Sequence, residues 1–189
     1  MLKKYIKTCF NTTYVLKPDK YYTTLEKVNF NLLASKGILN IILDVDNTIS
    51  RVDLDLIEPG AAETINKLKN KAPVFKICLV SNVIFGRKRR ERVAKIAQQL
   101  DVPYVAVGFF KRKPNSYPYL KAMEIMGSTP ENTAVIGDQL FTDILGAKKL
   151  GIYSILVRPL GKDHWTTRLF GKRRKERALL DSLGIKIDD

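Results

Sequence analysis

The sequence predicts a three-layer α/β/α domain built on a parallel sheet of about five strands. Short apolar runs, typical of strands buried on both faces, alternate along the chain with amphipathic stretches of helical period. Strands that alternate with helices form parallel sheets with right-handed crossovers. A chain of 189 residues, 45% of them hydrophobic, is long enough for one such domain and too short for two large ones.

The predicted elements of this core follow one another without long interruptions. Strands are expected at five apolar runs, residues 41–43, 75–80, 104–107, 133–136 and 154–157. Helices are expected between them, at residues 61–69, 87–100, 117–126 and 141–150. Pro59 precedes the first helix and Gly151 follows the last, which fits the preference for proline at a helix start and glycine after its end.

Two flanking segments differ from this core, which spans residues 38–160. Residues 1–37 contain scattered apolar anchors, a turn at 17–20 and a helical pattern at 25–34, which indicate an N-terminal extension packed on the core. Residues 161–189 form a basic C-terminal tail, in which Trp165, Leu169 and Phe170 precede a basic run at 172–177. This combination resembles an interfacial membrane anchor, and a tail helix packed on the core is the alternative.

The charge of the chain favours an anionic partner. Lysine and arginine number 33 against 19 acidic residues, a formal net charge of +14, which predicts attraction to nucleic acid, an anionic lipid surface or phosphorylated substrates. One helix begins with a cluster of cations, namely Arg87, Lys88, Arg89, Arg90, Arg92 and Lys95. Because a helix N-terminus already carries partial positive charge, an anionic partner explains this cluster better than stability does, and a solvated face is the alternative.

Cysteine usage points to a reducing compartment, and hydropathy predicts no membrane-spanning helix. Two cysteines, Cys9 and Cys78, do not suffice for a disulfide scaffold or a zinc site. No stretch approaches the about 18 consecutive apolar residues of a spanning helix, and no apolar segment follows the N-terminal lysines. We therefore expect a cytoplasmic protein without a signal peptide, whose only membrane contact is peripheral, on the inner face of the membrane.

Polar residues end four of the predicted strands or follow them closely. They are Asp44 and Asp46, Ser81 and Asn82, Lys113 with Pro114, and Gly137-Asp138 with Asp143 five positions further on. The carboxyl ends of neighbouring parallel strands meet at one edge of a sheet, where carboxylates around a lysine and a hydroxyl form a cage suited to Mg²⁺. Each motif has another interpretation. The residues around Asp44 and Ser81 could be turns after strands, and Asp143 could be an acid favoured by the dipole of a helix. Lys113 could be a solvated surface lysine, and Lys111 is its rival for the role.

In their order, Asp44-x-Asp46-x-Thr48, Ser81, Lys113 and Gly137-Asp138-x-x-x-x-Asp143 resemble motifs I to IV of the haloacid dehalogenase (HAD) superfamily, whose fold is Rossmann-like. The resemblance implies that Asp44 is the nucleophile of an aspartyl-phosphate intermediate and that Asp46 is the general acid and base. It implies that Ser81, Asn82 and Lys113 bind the phosphoryl group. It also implies a Mg²⁺ ion held by Asp44, Asp138, Asp143 and the backbone carbonyl of Asp46.

The intervals between the motifs leave no room for a cap domain. Residues 46–81 accommodate a flap and one helix, and residues 113–138 accommodate one helix. The chain length and short intervals resemble the capless subfamily IIIA. The Asn47-Thr48 pair with the basic flanks resembles its YqeG-type branch, which is similar to mitochondrial phosphatidylglycerophosphate phosphatases. That resemblance implies a phospholipid head-group phosphate as the substrate, at an anionic membrane surface. A nucleic-acid or protein phosphatase, and an RNA- or ribosome-associated scaffold that retains the fold, are the alternatives.

Overall fold

A computed structural model describes residues 16–52, 54, 56–83, 86–161 and 172–185. In these residues, parallel strands form one six-stranded sheet in the order β1-β6-β5-β2-β3-β4. The strands are β1 (Lys20–Tyr22), β2 (Asn40–Leu43), β3 (Lys76–Asn82), β4 (Tyr104–Val107), β5 (Thr133–Gly137) and β6 (Tyr153–Val157). The prediction of a parallel α/β sheet is confirmed, and the described residues contain no large cap domain.

Helices cover both faces of this sheet. They are α1 (Phe30–Ser35), α2 (Pro59–Asn70), α3 (Arg87–Leu100), α4 (Tyr117–Met126), α5 (Leu145–Lys149) and α6 (Lys172–Ser182). Ile41 of β2 belongs to one core cluster with residues of α2 and α3, whereas its neighbour Ile42 belongs to a second cluster with residues of α4. Because both faces of the central strands are buried, these strands are continuous apolar runs.

The sixth strand is β1, which lies at the edge of the sheet beside β6. It begins at Lys20, the last residue of the predicted turn at 17–20. The Asp19 carboxylate accepts hydrogen bonds from the backbone N–H of Ser154 at 2.8 Å and from its hydroxyl at 2.7 Å. Lys148 donates to the same carboxylate at 2.7 Å. The N-terminal segment therefore contributes a strand to the sheet as well as packing against it.

The last predicted helix, 141–150, has a different form in the structure. Residues Leu140–Ile144 form a wide π-type turn, in which the Ile144 N–H lies 3.3 Å from the carbonyl of Gln139. The α-helical part begins only at Leu145. Such widened turns are frequent at functional sites, and this one carries Asp143.

Part of the predicted tail packs on the domain. Leu180 of α6 is buried in a cluster with Leu140, Ile144 and Leu156, and Glu176 accepts a hydrogen bond from the Phe141 N–H at 3.3 Å. This is the packed-helix alternative for that part of the tail. Trp165, Leu169 and Phe170, like Cys9, lie outside the described residues. Across the part of the chain that is described, no helix is long and apolar enough to cross a membrane.

Candidate active site

The strand ends that the sequence predicts to meet lie together at the carboxyl edge of the sheet. β2 is hydrogen-bonded to β3 on one side and to β5 on the other. Asp44 directly follows β2, Ser81 lies near the end of β3, and Asp138 directly follows β5. All three side chains are buried, although each carries a polar group.

Lys113 enters this site from the loop after β4, and its side chain is only 4% exposed. Its ammonium donates to the carboxylate of Asp44, to Asp143 at 2.7 Å and to the carbonyl of Val80 at 3.0 Å. Each N–H of the ammonium therefore has an acceptor. The rival residue, Lys111, is exposed and lies over the ring of Tyr117, 4.1 Å from its centroid. Lys113 is thus the lysine that contacts the acids.

Three carboxylates form a buried cluster around this lysine. Asp44, Asp138 and Asp143 each present an oxygen, and these oxygens lie within 4.8 Å of one another. Burial raises the pKa of Asp44 to about 7; Lys113 opposes this shift, and the charges of Asp143 and Asp46 add to it. Burial alone would lower the pKa of Lys113, but the charges of Asp143 and Asp44 outweigh it and hold this pKa above its ordinary value. The cluster provides the hard oxygen ligands that divalent cations such as Mg²⁺ take.

Gly137 makes room for one of these acids. A Cβ atom at Gly137 would lie 2.6 Å from Oδ2 of Asp143, a distance that real side chains essentially never adopt. The same oxygen accepts hydrogen bonds from the Gln139 N–H at 3.2 Å and from the Thr142 hydroxyl at 3.3 Å. The glycine before Asp138 is therefore required by the close approach of Asp143 to the backbone.

The turn after β2 holds the first acid. The Thr48 hydroxyl donates to Oδ2 of Asp44 at 3.0 Å. Asn47 adopts the left-handed region with φ of 60°, a conformation that asparagine tolerates better than most residues. Its N–H donates to the carbonyl of Ser50 at 2.7 Å and closes the turn. The polar turn that was the alternative for this stretch is therefore present, and it orients Asp44.

Asp46 lies outside the three-carboxylate cluster, and its partner is Arg92 of α3. Nη1 of Arg92 donates to Oδ1 of Asp46 at 2.6 Å. Nη2 donates to the Ser50 hydroxyl at 2.7 Å and the Arg51 carbonyl at 2.9 Å, and Nε donates to the Leu54 carbonyl at 3.0 Å. The assignment of Arg92 to a cluster of surface cations was wrong, because its side chain is only 11% exposed and holds Asp46 against the loop after β2.

Asn82 connects two parts of the site. Its Oδ1 accepts a hydrogen bond from the Lys113 N–H at 2.8 Å, and its Nδ2 donates to the Lys113 carbonyl at 3.4 Å. The side chain thus joins the end of β3 to the loop that carries Lys113. The predicted contact of Asn82 with a phosphoryl group, like that of Ser81, stays a prediction.

Comparison with known proteins gives consistent matches to phosphatases. A family model described as mitochondrial PGP phosphatase matches residues 3–160. A probable phosphatase, YqeG, of Bacillus subtilis is 30% identical over 170 residues, which cover 89% of this chain and 92% of that protein. The mitochondrial phosphatidylglycerophosphatase GEP4 of Saccharomyces cerevisiae is 26% identical over 127 residues, which cover 65% of this chain and 68% of that protein.

Solved structures share the fold at low sequence identity. A p-nitrophenyl phosphatase from Archaeoglobus fulgidus superposes with a TM-score of 0.50 at 15% identity, over 79% of this chain and 94% of that chain. Fold, sequence relatives and strand-end residues together define a phosphoric monoester hydrolase of the HAD superfamily. Within that class, the chain belongs to the mitochondrial PGP phosphatase family. Its similarity to YqeG agrees with the YqeG-type branch that its motifs resemble.

Proposed function

We propose that this protein is a Mg²⁺-dependent phosphomonoesterase that acts through a phosphoaspartate on Asp44, and that its substrate is the head-group phosphate of phosphatidylglycerophosphate. The observation that carries the proposal is the setting of the Asp44 carboxylate. It is buried at the end of a central strand, with one oxygen bound by Lys113 and the other by Thr48. A carboxylate held in this way is oriented for attack on an incoming phosphorus atom.

In the proposed reaction, Asp44 attacks phosphorus while Asp46 first donates a proton and then accepts one. An oxygen of Asp44 forms a bond to phosphorus while the bond to the lipid alcohol breaks, and Asp46 gives its proton to the departing oxygen. Asp46 then takes a proton from the water that attacks the phosphoaspartate, which releases inorganic phosphate and regenerates Asp44. Ser81 and Lys113 bind the phosphoryl oxygens, where charge accumulates. Arg92 keeps the Asp46 carboxylate oriented through its 2.6 Å hydrogen bond.

The donor set of the site fits Mg²⁺. The buried carboxylates of Asp44, Asp138 and Asp143 exceed the charge of the single ammonium of Lys113, and a divalent cation would neutralise the excess. The backbone carbonyl of Asp46 would complete the set of protein ligands. When bound, Mg²⁺ supplies charge neutralisation, which allows a carboxylate to approach an anionic phosphate.

The relatives and the short intervals between the strands support a lipid substrate. A yeast relative is named as a phosphatidylglycerophosphatase, and the matched family carries the same description. Among the described residues, α2 is the only α-helix between β2 and β3, and α4 is the only one between β4 and β5. A site without a lid suits a phosphate that is presented on a large carrier such as a bilayer.

A comparison of substrates tests the proposal. Phosphate release is measured with Mg²⁺ on phosphatidylglycerophosphate in mixed micelles, a 5′-phosphorylated oligonucleotide, a phosphopeptide and p-nitrophenyl phosphate. We expect the highest kcat/KM with the lipid, and loss of turnover both in EDTA and in Asp44→Asn. A higher kcat/KM with the oligonucleotide or the phosphopeptide would overturn the lipid assignment. Full activity in Asp44→Asn would overturn the covalent mechanism, and full activity in EDTA would overturn the metal assignment.

A further inference from the structure

Two adjacent phenylalanines lie exposed at the carboxyl end of β4. Phe109 is 51% exposed and Phe110 is 90% exposed, in a single helical turn that follows Gly108. The two rings meet edge to face, with centroids 5.6 Å apart. Single exposed apolar residues are ordinary, but two neighbouring aromatic side chains that give up most of their burial indicate a surface with a partner.

Cations accompany these rings. The guanidinium of Arg112 lies over the ring of Phe109, 4.7 Å from its centroid, and Lys111 lies over the ring of Tyr117. Lys111 and Arg112 are both exposed. No acidic residue occurs between Asp101 and Glu124, so this segment contains no acid to neutralise them. We refer to residues 109–112 as the aromatic rim.

The aromatic rim lies next to the active site along the chain, at the same edge of the sheet. Lys113, which contacts the buried acids, follows it directly, and three residues of chain cannot separate the Cα atoms of Phe110 and Lys113 by more than about 11 Å. The basic start of α3 lies at the same edge of the sheet. Arg90 donates to the carbonyl of Ala106 in β4 at 3.4 Å, and Arg87, Lys88 and Arg90 are exposed.

We propose that the aromatic rim docks on an anionic lipid bilayer, with Phe109 and Phe110 inserted among the head groups and Lys111 and Arg112 bound to lipid phosphates. Aromatic rings beside cations are the composition of interfacial anchors. A nucleic acid is less well matched, because a base needs an open ring face and Arg112 lies over Phe109. Phe110 is 90% exposed, so its side chain is accessible for insertion into a bilayer. This inference rests on the proposed function only for the identity of the lipid substrate.

Vesicle binding of the full chain tests the docking. Co-sedimentation is measured with phosphatidylcholine vesicles and with vesicles that also contain phosphatidylglycerol. We expect binding only to the anionic vesicles, weakening as salt rises. The double variant Lys111→Gln/Arg112→Gln should lower the partition coefficient by about thirtyfold at low salt, because each surface cation contributes about a fivefold factor. Phe109→Ser/Phe110→Ser should also lower it, at all salt concentrations, because that contact is apolar.

Matched controls come from the opposite edge of the sheet. Ile125 is an exposed apolar residue near the end of α4. There the carbonyl of Met126 accepts a hydrogen bond from Lys76, the first residue of β3. Ile125→Ser should retain vesicle binding. Lys71→Gln/Lys149→Gln removes as much charge as the cation variant, from two exposed lysines. This control should lose much less affinity than the cation variant does.

Several results separate docking from catalysis. All the rim variants should hydrolyse p-nitrophenyl phosphate at the wild-type rate, because none of the altered residues contacts the buried acids. Equal vesicle binding by rim variants and controls would overturn the proposal, and so would rim-dependent binding to single-stranded RNA without vesicle binding. Rim-dependent vesicle binding without lipid hydrolysis would uphold docking and overturn the proposed function. If the rim variants hydrolysed the lipid in vesicles at the wild-type rate, the docking proposal would be overturned and the proposed function would stand.

Discussion

Replacing Lys113 with methionine tests how the charge of the site is balanced. Methionine keeps an unbranched apolar stem but removes the ammonium that contacts Asp44, Asp143 and the Val80 carbonyl. Breaking a buried ion pair from one side costs about 3–5 kcal/mol, because the partner charge stays buried without compensation. For a domain of this size, each kcal/mol lowers Tm by about 2–4 °C, so we expect a fall of about 6–20 °C without divalent cations.

The assay is thermal unfolding followed by circular dichroism, first in EDTA and then in Mg²⁺. Because a dication replaces the missing positive charge, Mg²⁺ should raise the Tm of Lys113→Met more than that of the wild type. Lys121→Met is the matched control, since Lys121 pairs with Glu124 on the exposed face of α4 at 2.8 Å and such pairs contribute little. If Lys113→Met and Lys121→Met showed the same fall in Tm, the ammonium of Lys113 would not be the group that offsets the buried acids. If Mg²⁺ raised the Tm of Lys113→Met and that of the wild type equally, the proposed metal arrangement would be refuted.

Three further experiments probe other contacts of the site and core. Arg92→Lys should lower kcat on p-nitrophenyl phosphate by about a hundredfold with little change in KM, because one ammonium cannot replace the four contacts of the guanidinium and the acid moves. Gly137→Ala should displace Asp143 and weaken Mg²⁺ binding in calorimetry, whereas Gly108→Ala, where a Cβ meets nothing within 4 Å, should leave it unchanged. Cys78 should resist iodoacetamide at pH 8 until the protein unfolds, as measured by peptide mass spectrometry, because burial raises its pKa to about 12.

The positions of the acids could be predicted because the signal is local. Asp44 and Asp138 each follow an apolar run, and parallel strands bring such positions to one edge. Arg92 offers no comparable signal. Helical periodicity shows that Val93 lies on the apolar face of α3, but an arginine beside that face has the same pattern whether it is solvated or reaches Asp46. Its role depends on the path of the loop after β2, which follows no periodic pattern.

The elements that differ from the predictions depend on contacts distant in sequence. β1 has only three residues, too few to establish alternation, and Asp19 anchors it to Ser154, a partner 135 positions away. The turn at Leu140–Ile144 overlaps the predicted helix at 141–150, of which only the part from Leu145 is α-helical. Its widening accompanies the approach of Asp143 to the backbone of Gly137, a tertiary contact that a period of 3.6 residues does not encode.

Burial of the acids ties nucleophile and metal together in the proposed reaction. With every group ionised, three carboxylates and the Lys113 ammonium leave two formal negative charges in a site that water barely reaches. Either a proton or a dication can relieve this excess. The raised pKa of Asp44, about 7, means that near neutral pH a proton competes for the carboxylate that is to act as the nucleophile. A dication at the cluster would lower that pKa and keep Asp44 ionised. In the proposed reaction, the same carboxylates that would bind the metal would thus also make the nucleophile depend on it.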